Sequence, residues 1–293
     1  MSKTIVITGA SDGIGAAGAR RLHAAGHTVV IVGRSPDKTA KIARDLGVEC
    51  HVADFTRLND VRALAGNLLD RHQSIDVLVN NAGGVFGERT PTTDGFEKTF
   101  QVNHLAPFLL TNLLLDTLIA SNATVVQTSS IAARLYGHID LHDLNNATRF
   151  SANKAYGDAK LANILFTRAL HDRFHTAGLS AAAFHPGFVA TNFASDTTST
   201  AMKLVYANPL ARRFIASPER GADQLVWLSE TQPGTQWQSG AYYEKRTIAS
   251  RVNPQSRDQD LARRLWDVSC GLLEIPTSPG SGSATTMRPA GSC

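Results

Sequence analysis

Short β-branched apolar runs alternate along this chain with longer segments that read as helices. Lys3 to Thr8 (KTIVIT) reads as a buried first strand. Gly15 to Ala25 reads as a helix, with Gly26 suited to its C-terminal stop. Strands follow at His27 to Gly33, Gly47 to Ala53 and Ile75 to Asn80. A long helix is expected over roughly Gly95 to Ile119, leading into the strand Ala123 to Thr128. A second long helix, about Ala152 to His175, stops near Gly178 and precedes the strand Ser180 to His185, closed by Pro186-Gly187. Ser217 and Pro218 form an N-cap and first-turn proline for a helix over Glu219 to Ser229. Strand and helix in alternation predict an α/β fold, a parallel sheet with helices on both faces, in a single domain over residues 1–276. Residues 277–293 are rich in Ser, Gly, Pro and Thr and have little to bury, so a disordered tail is expected there.

Composition narrows the function. The chain has 293 residues, enough for one α/β domain with its own core, and no apolar run approaches the ~20 residues needed to span a bilayer. Met1-Ser2-Lys3 leads straight into a strand, so neither a signal peptide nor a membrane anchor is expected, and a cytoplasmic location is the default. A net charge of +4 spread along the chain does not form the basic stripe of a nucleic-acid binder. Cys50, Cys270 and Cys293 fit no metal spacing or disulfide framework. The pairs His138/His142 and His171/His175 have i,i+4 spacing but lack an accompanying Glu, so no metal is expected. His185 reads as a strand-end residue near the site rather than a base.

The chemistry concentrates in two places. Thr8-Gly9-Ala10-Ser11-Asp12-Gly13-Ile14-Gly15 lies between the first strand and the first helix. That arrangement points backbone N–H groups and a helix N-terminus at one spot, which attracts a pyrophosphate. Gly9, Ser11, Gly13, Ile14 and Gly15 are therefore candidate cofactor residues. The second strand ends in Gly33-Arg34, where an NAD site would place Asp or Glu for the ribose 2′-hydroxyl. Arginine grips a phosphate with paired N–H donors instead, so NADP(H) is expected over NAD(H). The second place is Ser130, Tyr156 and Lys160. Lys160 lies one helical turn from Tyr156, and its cation, with the positive ring of an oxidised nicotinamide, is expected to lower the phenol pKa from about 10. Tyr156 then exchanges a proton with a carbonyl or alcohol oxygen, and Ser130 hydrogen-bonds that oxygen.

These residues together resemble the short-chain dehydrogenase/reductase family over about residues 3 to 250. The matching stretches are TGASDGIG (8–15), Asp54-Phe55, NNAG (80–83), FQVNHLAPF around Asn103, TSS (128–130), YGDAK (156–160) and HPGFVAT (185–191). The resemblance implies a doubly wound Rossmann domain with seven parallel strands. It implies that Asp54 touches the adenine edge, and that Asn80, Ala82 and Gly83 line the cofactor floor. It further implies that Asn103 anchors a water leading to Lys160, that Lys160 also holds the nicotinamide ribose, and that Val189 and Thr191 reach the nicotinamide. The 26-residue step from Ser130 to Tyr156, the insert HIDLHDLNN (138–146) and LWDVS (265–269) resemble the retinol-dehydrogenase-like branch. Members of that branch often act on bulky lipophilic alcohols and ketones.

Residues 192–216 follow Thr191 at the sheet edge and read as a lid over an apolar pocket, to which Phe188 and Phe193 also contribute. The leading expectation is an NADPH-dependent reductase of a bulky lipophilic ketone, such as a polyketide-type secondary metabolite, working as a monomer or homo-oligomer. Oxidation of a retinol- or steroid-like alcohol is the enzymatic alternative. A catalytically inactive NADP(H) sensor or scaffold is the alternative of another class.

Overall fold

The computed structural model describes residues 2–187 and 217–277. Phe188, Val189, Thr191, Phe193, the expected lid at 192–216, the tail from 278 and Cys293 lie outside the described residues. Eight strands form one sheet: β1 (Thr4–Thr8), β2 (Thr28–Gly33), β3 (Glu49–Val52), β4 (Val77–Asn80), β5 (Thr124–Thr128), β6 (Ser180–His185), β7 (Tyr242–Glu244) and β8 (Thr247–Ile248). Their order is β3-β2-β1-β4-β5-β6-β7-β8. The implied seven strands are parallel, and the eighth, β8, pairs antiparallel to β7. Strand order reverses between β1 and β4, so a crevice opens at the carboxyl ends of those strands, where doubly wound sheets bind ligands.

Apolar residues on alternate strand positions bury both faces of the sheet. Ile5, Ile7, Val29, Ile31, Val77, Val79 and Val126 pack under α1 (Gly13–Ala24) and α2 (Pro36–Leu46). Val6, Val30, Val32, Leu78 and Val125 pack against the other layer, which holds α3 (Leu58–Arg71) and, after the short turn α4 (Lys98–Phe100), α5 (Ala106–Leu113). After α6 (Leu115–Ala120) and α7 (Ala132–Leu135), the long α8 (Ala152–Phe174) completes the sequence-read part of this layer. Local chemistry sets the helix ends. Asp12 caps α1 by accepting from Gly13 N, and Ser35 caps α2 by accepting from Lys38 N, with Pro36 in the first turn. Ser151 caps α8 at Lys154 N.

Two expected helices are interrupted. The segment expected as one helix from Gly95 to Ile119 is α4, a π-helical turn at Gln101–Leu105, α5 and α6. An α-helical carbonyl at Asn103 would need the N–H of residue 107, and Pro107 has none, so the ladder shifts. The segment 219–229 is α9 (Pro218–Gly221) and α10 (Asp223–Glu230), joined at Ala222. The 11-residue α2, the 14-residue α3, β7, β8 and the C-terminal α11 (Gln259–Leu273) lie outside the sequence reading.

Helix α11 lies along α8. Its Trp266 is enclosed by Phe108, Phe166 and Phe174 with ring centroids 4.9–5.7 Å apart, and the Arg173 guanidinium stacks 4.9 Å over the indole. Trp266→Ala is therefore expected to cost roughly 3–5 kcal/mol of stability in urea melts; a loss under about 1 kcal/mol would show that α11 is not part of the core.

Candidate active site

The crevice begins at the glycine turn. Gly9 takes φ 67°, and a Cβ there would lie 2.8 Å from Ala82 Cα. A Cβ on Gly15 would collide with the Gly9 carbonyl and Asn81. The cradle admits backbone but no side chains, as a pyrophosphate site at the start of α1 requires. Gly13 and Ile14 form the first turn of α1, with Ile14 packed against the core below. The expected nicotinamide dinucleotide thus fits the residues present.

Asn81 closes the cradle. Its Nδ2 donates to the carbonyls of Thr8 (3.1 Å) and Gly9 (3.3 Å), and its Oδ1 accepts from Thr128 Oγ1 (3.3 Å). Thr8 Oγ1 in turn accepts from Asn81 N and Ala82 N, both at 3.0 Å. The resemblance implied Asn80 for this floor, and the structure shows where its side chain goes. Asn80 points the other way, is buried, and donates to Thr111 Oγ1 on α5 (2.9 Å). The two asparagines are neighbours on a strand end, so period-two alternation sends one to the crevice and the other into the core.

Arg34 is exposed immediately after β2. A Cβ on Gly33 would meet Ser11, so the arginine stands beside the glycine turn. Lys38 adds a second cation at this rim and pairs with Asp12 at 3.2 Å. Asp54 follows β3; its Oδ1 accepts from Thr56 N and Oγ1, and its own N–H donates to Asp60. That is a turn-forming role compatible with a place at the crevice edge.

The proton-handling groups converge from β5 and α8. Ser129 and Ser130 are separated by their bonds. Ser129 Oγ is buried and donates to the Lys160 carbonyl (2.7 Å), which makes it structural. Ser130 Oγ accepts from Ala132 N (3.2 Å), and the Ser130 side chain lies close enough to the Tyr156 hydroxyl to favour its ionised form. Lys160 is almost wholly buried, donates to the Thr128 carbonyl (3.0 Å), and places its ammonium 5.5 Å from the Tyr156 ring centroid. A Cβ on Gly83 would run into Asn103 Oδ1 and stand 3.2 Å from Lys160 Nζ, so only glycine lets these groups approach. Asn103 is fixed by bonds from Nδ2 to the Gly84 and Thr99 carbonyls (both 2.8 Å) and from Gly84 N to its Oδ1 (3.1 Å).

Burial dominates the electrostatics of the chain by itself. It pushes the Tyr156 hydroxyl above its ordinary range, and Ser130 only partly offsets it. Burial also brings the Lys160 ammonium down to about 7. The chain by itself therefore holds the phenol protonated rather than as phenolate, because desolvation disfavours both charged forms.

Sequence reasoning missed three neighbours. Tyr242 on β7 is buried, donates to Glu244 Oε1 (3.4 Å) and lies near Tyr156; burial, then Glu244, pushes its hydroxyl up. Asn163 shares the Thr128 carbonyl with Lys160. Asn81 was passed over for its neighbour. His185 is lowered to about 4 by burial and the Arg134 charge, consistent with a neutral strand-end residue. Among the described residues no group of His, Cys, Asp and Glu could hold a metal, and no helix is long and apolar enough to cross a membrane.

The insert before α8 is tied to the same helix. His138 N donates to Asp158 Oδ1 (2.7 Å), and Asn253 Nδ2 donates to the carbonyls of Ala133 and Gly137. A Cβ on Gly157 would meet Tyr136 at 2.8 Å, so the half-exposed Leu135 and Tyr136 form an apolar ledge against the N-terminal part of α8.

The short chain dehydrogenase family model matches residues 3–201. The chain belongs to that family. A Streptomyces sp. (strain C5) protein named as a daunorubicin C-13 ketoreductase, DnrU, is 41% identical, with 92% of each chain covered. Human retinol dehydrogenase 12 is 36% identical over 93% of this chain and 87% of its own length, and human retinol dehydrogenase 13 is 34% identical over 94% and 86%. Among solved structures, an uncharacterized Mycobacterium paratuberculosis protein superposes with a TM-score of 0.75 at 33% identity, covering 94% of this chain and 95% of that one. Family membership makes this chain an oxidoreductase of the ketone/alcohol type with a nicotinamide cofactor.

The Lys160 pKa has a consequence for stability. The unfolded lysine titrates near 10.5 and the folded one near 7, so between those values the unfolded chain binds the extra proton. Stability from this group rises as pH climbs from 7 towards 10.5 and is lost as pH falls through the same window. Melting temperatures of the cofactor-free protein at pH 6.5 to 10 are expected to show that rise, and Lys160→Met to flatten it. Equal slopes in the two proteins would contradict this account of the buried ammonium.

Proposed function

We propose that the protein is an NADPH-dependent reductase of a ketone on a bulky, mostly apolar substrate. The observation that carries this reading is the buried Lys160 ammonium against the Tyr156 ring, with Ser130 beside the phenol, next to a side-chain-free phosphate cradle. A bound nicotinamide supplies the hydride. Tyr156, held protonated by burial, gives its proton to the carbonyl oxygen. Ser130 has its Oγ steadied by Ala132 N and directs its hydroxyl at the same oxygen as charge builds there. Lys160, near 7, re-supplies the phenol at neutral pH, and Asn103, beside Gly83 and Lys160, leads towards solvent. Gly9, Ser11, Gly13, Ile14, Gly15, Ala82 and Gly83 would hold the dinucleotide. Asp54 would meet the adenine edge and Arg34 the 2′-phosphate. The apolar ledge of Leu135 and Tyr136 supports a lipophilic substrate. Similarity to a protein named as a daunorubicin C-13 ketoreductase supports a bulky ketone, for which the polyketide-type metabolite expected from the sequence is the leading candidate.

Similarity to the retinol dehydrogenases favours a second reading, oxidation of a retinol- or steroid-like alcohol at the same site. An intact Ser130, Tyr156 and Lys160 in one pocket argues against a sensor or scaffold.

NADPH consumption with a panel of aryl, polycyclic and steroid ketones, and NADP reduction with the matching alcohols, tests these readings. Tyr156→Phe is expected to lower kcat at least 100-fold on any accepted substrate. Equal rates in both proteins would refute the mechanism. Arg34→Ala is expected to weaken NADPH binding about tenfold or more, roughly the worth of a charge-assisted pair, while leaving NADH unchanged. A wild-type preference for NADH would end the cofactor assignment.

A further inference from the structure

A polar chain crosses the aromatic core behind Lys160, and its direction follows from bonding capacity alone. Asn163 Nδ2 donates to the Thr128 carbonyl at 3.3 Å, so its Oδ1 faces His104 Nδ1 at 3.4 Å. That oxygen can only accept, so His104 carries its proton on Nδ1. Nε2 must then accept, and Ser269 Oγ, 3.3 Å away on α11, donates to it. All three side chains, with Lys160, are buried, and the imidazole is boxed by Phe100, Phe108 and Phe166. Burial lowers His104 to about 4, so the ring stays neutral and keeps this tautomer at neutral pH.

The chain ends on an atom the proposed mechanism uses. Thr128 O accepts from Asn163 Nδ2 and from Lys160 Nζ, the donors standing three residues apart on α8. Ser129 Oγ returns a bond to the Lys160 carbonyl. These bonds fasten the end of β5, and so Ser130, to the helix that carries Tyr156.

We infer that Asn163, oriented by His104 and Ser269, is a positioning residue that sets the place and proton affinity of the Lys160 ammonium and the register of Ser130 against Tyr156. This rests on the oxidoreductase reading for its kinetic consequences, not for its structural ones. Removing the Asn163 amide withdraws its positive N–H edge from beside the ammonium and leaves Thr128 O to Lys160 alone, which favours the charged lysine. The titratable group facing Lys160 is Tyr156 on its own helix, with Tyr242 of β7 beyond it. The flanking Gly83, Asn103 and Thr128 are uncharged, and burial alone accounts for the lowering of Lys160.

The test compares wild type with Asn163→Leu, His104→Phe and Ser269→Ala, with Ser269→Thr as the conservative rescue and Thr167→Val as the control. Thr167 donates to the Asn163 main-chain carbonyl on the same helix and lies outside the side-chain chain. Two readouts are taken: melting temperature of the cofactor-free protein from pH 6 to 10, and the pH profiles of kcat and KM with NADPH and the best ketone of the panel. Asn163→Leu and His104→Phe are expected to raise the midpoint of the near-neutral melting transition by half a pH unit or more. Both should lower kcat at least fivefold with KM within twofold. Ser269→Ala is expected to move the same way by less and Ser269→Thr to restore wild-type behaviour, while Thr167→Val changes the melting temperature without moving either midpoint. Folded variants whose pH profiles and kcat superimpose on wild type would overturn the inference. If Asn163→Leu does not fold, His104→Phe and Ser269→Ala decide it by the same criteria. Should Tyr156→Phe retain full activity, the reductase reading fails, and the melting curves still report on Asn163 and Lys160.

Discussion

Two donors from one helix converge on the carbonyl oxygen of Thr128, and the placement of the site follows from that joint. The end of β5 would otherwise be free to slide against α8, since the apolar contacts beneath it are not directional. Lys160 Nζ and Asn163 Nδ2 on Thr128 O, with Ser129 Oγ on the Lys160 carbonyl, supply the direction. Ser130 is then held two residues beyond the strand and Tyr156 one turn before Lys160, which brings the serine side chain beside the phenol. A buried ammonium is costly unless it is hydrogen-bonded; here it has an acceptor at 3.0 Å and a proton affinity reduced to match.

That same burial decides the protonation states. Desolvation holds Tyr156 as a phenol and brings Lys160 near neutrality, which suits a chain that donates protons during reduction. The positive edge of the crevice is built separately. Arg34 is exposed at the rim beside Ser11, and Lys38 adds a second cation already paired to Asp12. The two halves of the site, phosphate cradle and proton relay, meet through Asn81, which bonds the β1 carbonyls on one side and Thr128 on the other.

Helix α11 and the insert around residues 138–146 brace α8 from two sides. The insert bonds Asp158, two residues before Lys160, and α11 brings Trp266 and Ser269 against the face of α8 that carries Phe166 and Asn163. Together they seat α8 with groups that lie 20 residues away at His138 and about a hundred away at Trp266.

The sequence by itself determined the β-branched strands, the Gly9–Gly15 cradle, Ser217 as the cap of α9 and the one-turn spacing of Tyr156 and Lys160. Each rests on local rules: strand alternation, cap chemistry and the 3.6-residue helical period. Family resemblance added Ser130 over Ser129, whose Oγ the fold commits to the Lys160 carbonyl. Folding alone decided which asparagine of the 80–81 pair faces the crevice, where Pro107 breaks the long helix register around Asn103, and that α11 lies on α8. It also decided the sign of the Tyr156 shift and the convergence of His104, Asn163 and Ser269 behind Lys160. These depend on depth from solvent and on contacts between distant segments, and neither quantity is written in the spacing of residues along the chain.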